Sequence, residues 1–121
     1  MDRISEVEHR GKKILVQDFA GLRAGDEFRE SIAEAKRYIA SQPPKSVLSI
    51  FDATHALYNA EVVAELKEFT KHNGPYMKAS AVVGIEGILS IALMAVSKFS
   101  GRTFKIFKDR ESAMDWLAEQ S

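Results

Sequence analysis

The stretch "LSIFDATHALYNAEVVAELKEF", residues 48–69, decides the fold. An apolar run ends at Asp52, a short loop follows, and a helical pattern starts after Asn59. The run "SVLSIF" is apolar on both faces, as in a central strand of a parallel sheet covered by helices on either side. After Asn59, a good N-cap, Val62, Val63, Leu66 and Phe69 fall on one stripe, while Glu61, Glu65, Lys67 and Glu68 face water. The unit is strand, loop, helix, and it predicts an α/β protein.

Upstream, "ISEVEH" and "KKILVQDF" are strand-like runs around Arg10-Gly11, where glycine suits a tight antiparallel hairpin. Asp26 is expected to cap a helix after the loop "AGLRAG", with Phe28, Ile32, Ala35 and Ile39 at helical spacing until "SQPPK" stops it. Downstream, "NGP" at 73–75 closes the second helix and "ASAVVGI" is a strand. "EGILSIALMAVSKFSG" is a helix ended by Gly101, "RTFKIF" a last strand, and "DRESAMDWLAEQ" a terminal helix capped by Asp109. The order β-β-α-β-α-β-α-β-α, with right-handed crossovers, builds a mostly parallel sheet with an antiparallel N-terminal strand and helices on both faces. Ligands and partners of such sheets meet the carboxyl ends of the strands, which places the loop after Asp52 where function usually sits.

Composition bounds the function. At 121 residues and 45% hydrophobic, a single domain over 1–121 is expected to bury roughly two-thirds of its unfolded surface. Lys+Arg and Asp+Glu are both 17, so no net field draws the chain to nucleic acid or to an anionic membrane. The absence of cysteine excludes disulfides and thiolate chemistry and suits a cytoplasmic protein. "MDRISEVEHRGKK" has no signal-peptide apolar core, and "GILSIALMAV" is about half the length a bilayer requires, so no transmembrane segment is expected. His9, His55 and His72 form no metal-binding pair, and "GIEG" is no nucleotide loop, so neither metal nor cofactor is expected.

The order of elements, with "VLSIFDATHALYNAEVVAELKEF" and the C-terminal "FKIFKDRESAMDWLAE", resembles the SpoIIAA-like branch of the STAS superfamily of sulfate transporters and anti-sigma factor antagonists. Members close with a helix of the form A-x-x-W-L, and Ala113, Trp116 and Leu117 stand in those places. The resemblance implies a SpoIIAA/STAS-like fold and a non-enzymatic regulatory or binding role with an unidentified protein partner. In anti-sigma factor antagonists the helix after the central strand begins D-S-S-G, and a serine there is phosphorylated. Here the place reads "YNAEVV", with no hydroxyl among Asn59, Ala60, Glu61 and Val62, so the phosphoacceptor does not carry over. Glu61 is either a standing mimic of negative charge or an ordinary first-turn acid complementing the helix dipole.

Each loop residue has two readings. Asp52 binds a cation or partner group, or accepts backbone N–H bonds as a turn acid. Thr54 is a phosphoacceptor or bonds its own backbone. His55 is a switch or base, although no motif positions a nucleophile beside it. Leu57 and Tyr58 are anchors for packing or for an interface. Asp52, Thr54, His55, Leu57, Tyr58 and Asn59 thus make the candidate partner- or ligand-binding loop.

The helix "GILSIALMAVSKF" is apolar nearly all round and must be buried twice. Ile88, Leu89, Ile91, Leu93 and Met94 therefore form a candidate face for homodimerisation, for cover by the terminal helix, or for an apolar ligand. Two functional classes follow: a homodimeric regulatory module, or a small carrier of an apolar ligand or lipid, by analogy with CRAL-TRIO domains, which should show a cavity lined by that helix. An enzyme is not expected.

Overall fold

The first two strands, β1 (Ile4–His9) and β2 (Lys12–Asp18), pair antiparallel, with His9 opposite Lys12 and Ile4 opposite Gln17. Arg10 and Gly11 join them with positive φ at both positions, 53° and 79°, as a two-residue hairpin turn demands. The computed structural model describes residues 3–21, 25–55, 59–84 and 104–120. Helix α1 (Asp26–Ala40) follows, then β3 (Val47–Asp52), α2 (Ala60–Asn73), a 3-10 turn (Gly74–Tyr76) and β4 (Met77–Val83). The last elements are β5 (Lys105–Phe107) and α3 (Arg110–Ala118).

The sheet order is β1-β2-β3-β4-β5, with β1 antiparallel at one edge and every other neighbour parallel. This is the mixed α/β sheet expected from the sequence, with β3 at its centre. Side chains alternate across it. Leu15 and Val47 pack with Phe28, Ile32, Ala35, Ile39, Val62, Leu66 and Phe69, so α1 and α2 cover one face. Ile14, Val16, Leu48, Ile50, Ala81 and Val83 pack with Ala113 and Leu117, so α3 covers the other. The A-x-x-W-L motif is packing chemistry: Ala113 and Leu117 are fully buried, and Trp116 lies 5.6 Å from the Phe107 ring.

Three boundaries differ from the sequence reading. Gly25, not Asp26, is the N-cap of α1. Asp26 enters the first turn, where its carboxylate suits the helix dipole and accepts from Arg29 at 2.6 Å. Strand β4 begins at Met77 rather than Ala79, because the 3-10 turn delivers the chain to the sheet early and a register shift at Val47/Leu48 absorbs the extra residue. The final strand is confined to Lys105–Phe107, with Phe104 preceding it. The apolar helix, with Ile88, Leu89, Ile91, Leu93 and Met94, lies outside the described residues.

Candidate functional site

Strands β2 and β3 end side by side on two acids, since Asp18 is the register partner of Asp52. Two adjacent carboxylates repel unless a cation joins them. Arg110, the first residue of α3, supplies it: Nε donates to Asp52 Oδ2 at 2.7 Å and Nη2 lies 3.2 Å from Asp18 Oδ1. Asp52 Oδ1 accepts from the Thr54 backbone N–H at 3.0 Å and from the Thr54 hydroxyl at 2.6 Å. Asp18 Oδ1 also accepts from the Ala20 N–H at 3.2 Å. A continuous polar chain therefore runs from Thr54 through Asp52 and Arg110 to Asp18 and Ala20.

Burial pushes the Asp52 carboxyl up, but the Thr54 hydroxyl, the Thr54 N–H and the Arg110 guanidinium outweigh it and hold Asp52 below its usual range. Burial likewise works against the charged Arg110, and its bond to Asp52 overcomes that and raises it. A carboxylate so stabilised as the anion is a poor proton acceptor, so the Thr54–Asp52 contact is a turn bond rather than an activated nucleophile. The turn-acid reading of Asp52 describes these bonds, and its counter-ion is the chain's own Arg110.

The loop backbone is held on both sides. Phe19 N–H donates to Asp52 C=O at 2.9 Å, Gly21 N–H to Thr54 C=O at 2.8 Å, and Ala53 N–H to Val83 C=O at 2.8 Å. Gly84, at φ 85°, lies so close that a Cβ there would sit 2.3 Å from Thr54 Oγ1 and 2.7 Å from the Thr54 backbone. Against this frame His55 is exposed and held at φ 58°, a left-handed conformation unusual outside glycine. No hydrogen bond or ion pair joins its ring to the described residues.

Asn59 caps α2 as expected, its Oδ1 accepting from Val62 N–H at 2.9 Å. Glu61 accepts from Arg29 at 2.8 Å, and Arg29 also bonds Asp26, so this acid ties α2 to α1. Leu57 and Tyr58 lie outside the described residues. Among the described residues, no group of three or more His, Asp or Glu side chains is arranged to hold a metal ion, and no helix is long and apolar enough to cross a membrane.

A cavity of about 210 Å³ opens at the other end of the sheet, lined by Lys13, Tyr38, Gln42, Pro43 and Ser46 above Val47. It is not the cavity expected of a carrier, because its walls come from β2, α1 and the loop before β3.

Sequence reasoning missed Arg110, Asp18 and Gly84. Arg110 carried a signal: a cation in the first helical turn opposes the dipole and calls for a compensating partner.

No protein-family model matches the sequence, and no curated protein does. Among solved structures, the chain is similar to an uncharacterised DUF3478-family protein with a SpoIIAA-like fold from Shewanella loihica PV-4. The two are 17% identical at a TM-score of 0.71, over 94% of this chain and 91% of that one. The chain has a SpoIIAA-like fold.

Proposed function

We propose that this SpoIIAA-like fold serves as a non-enzymatic regulatory module of STAS type, offering the carboxyl-edge loop around Asp52, Thr54, His55 and Asn59 to a partner protein. The observation that carries the reading is His55: an exposed imidazole in a strained backbone, on a loop fixed by the Asp52–Arg110–Asp18 cluster and by Gly84. Strain of this kind persists only where the surroundings over-determine it, and a pre-set exposed side chain costs less entropy to dock. The same cluster argues against catalysis, because Asp52, its buried acid, is committed to Thr54 and Arg110. With no hydroxyl among residues 59–62, control by phosphorylation at the helix start is not part of the proposal.

A photo-crosslinking amino acid at position 55, and separately at position 45 on the opposite edge, tests the reading in extract of the native cell. A discrete protein adduct from position 55 that is absent from position 45 supports it. Equal labelling from both positions, or turnover of a small substrate that is lost on Asp52→Asn substitution, sinks it.

A further inference from the structure

The second observation concerns β5 and is independent of the loop. Strand β5 pairs with β4 on one side only, and no described strand flanks it on the other. Gly84 N–H donates to Phe107 C=O, so Phe107, and with it Lys105, turns its backbone groups inward to β4. Because successive residues of a strand direct these groups to alternate sides, Ile106 presents both its N–H and its C=O at the free edge. Ile106 is also the exposed large apolar side chain among the described residues, at 43%.

We infer that this edge pairs with a second copy of the chain, antiparallel about a two-fold axis through Ile106. The sequence Phe104-Lys105-Ile106-Phe107-Lys108 complements itself in that register. Ile106 faces Ile106 of the second copy, with two reciprocal N–H···O=C bonds. Lys105 faces Phe107 and Phe104 faces Lys108, so every flanking cross-strand pair sets a cation beside an aromatic ring and no pair sets lysine against lysine. The chain already uses this chemistry within itself, Lys105 Nζ lying 5.9 Å from the Phe107 ring centre and 5.6 Å from that of Trp116. A five-residue contact falls well short of the roughly 1,200–2,000 Å² of a stable interface, so the pairing is weak and concentration-dependent.

Sedimentation velocity from about 10 μM to about 1 mM, with amide NMR over the same range, tests this. The expected result is a rise from monomer toward dimer with chemical-shift changes centred on 104–108, and at least a tenfold weaker association in both Ile106→Lys and Ile106→Pro. Proline is informative because the lost N–H faces away from β4 and leaves the ladder intact. Should Ile106→Pro fail to fold, Ile106→Lys, an exposed change, decides alone. A chain that stays monomeric throughout, or a dimer indifferent to these variants, overturns the inference. The latter would mean that another face associates.

Discussion

His55 and Lys45 stand at opposite ends of β3 in the same left-handed backbone conformation, at φ 58° and 55°, yet they are held there by different means. Lys45 is fixed by backbone bonds to the 3-10 turn after α2: its N–H donates to Pro75 C=O and Ser46 N–H to Tyr76 C=O, while the Ser46 hydroxyl donates to Pro43 C=O. His55 sits beside a buried carboxylate whose counter-ion arrives from α3, 58 residues along the chain. Equal strain is therefore supported by main-chain hydrogen bonds at one end and, at the other, by a part-buried ion pair as well. Only the ion pair makes the shape of a loop depend on the charge and seating of α3.

The comparison breaks most readily at Gly84. Replacement by alanine drives a Cβ into Thr54 and forces an L side chain to φ 85°, for an expected loss of about 3 kcal/mol in urea denaturation. A loss under about 1 kcal/mol would show that the loop yields and is not pinned.

Next is Arg110→Ala, which leaves Asp52 buried and Asp18 beside it with no cation. Because the Arg110 side chain is 37% exposed, the cost is placed below that of a fully buried pair, at about 2 kcal/mol. Amide shifts should move at 52–55 and stay still at 43–46. Shifts at both ends alike would erase the distinction drawn between them.

Acid sharpens the same contrast. Asp52 is depressed in the folded state, so its contribution is complete above its unfolded value of about 3.9 and is lost as pH falls through the lower folded value. Wild type should therefore lose stability progressively below about pH 4, and the part owed to Asp52 should shrink in Arg110→Ala. Parallel pH profiles for the two proteins would deny Arg110 that role.

The smallest effects are expected from His55→Gly and Lys45→Gly. Each relieves left-handed strain and adds chain entropy to the unfolded state, for a net change within about 0.5 kcal/mol. Stability should thus not separate the two sites, whereas competition should: excess Lys45→Gly protein should suppress the adduct formed by the crosslinker at position 55, and excess His55→Gly protein should not.

How much of this was legible in the sequence follows the range of each interaction. Phe28, Ile32, Ala35 and Ile39 announced a buried helical stripe, and all four are core. Asn59 and Asp109 announced caps, and each accepts the N–H three residues on. The Asp52 turn was readable because Thr54 is two residues away. The bonds from Arg110 to Asp52 and Asp18 were not, since nothing local pairs the start of α3 with the ends of β2 and β3. Asp26 misled because it satisfies the rules for a cap and for a first-turn acid equally well, and only the backbone of Gly25 decides between them.

The strand order carries a consequence for assembly. Because each strand lies beside the one made before it, the sheet can grow stepwise as the chain emerges. The step that resists is electrostatic. Docking β3 on β2 brings Asp18 and Asp52 together long before Arg110 has been synthesised, so the nascent sheet carries an uncompensated pair of negative charges until α3 docks. Arrival of that helix is thus a closing step, separating a half-built sheet that repels itself from a finished one.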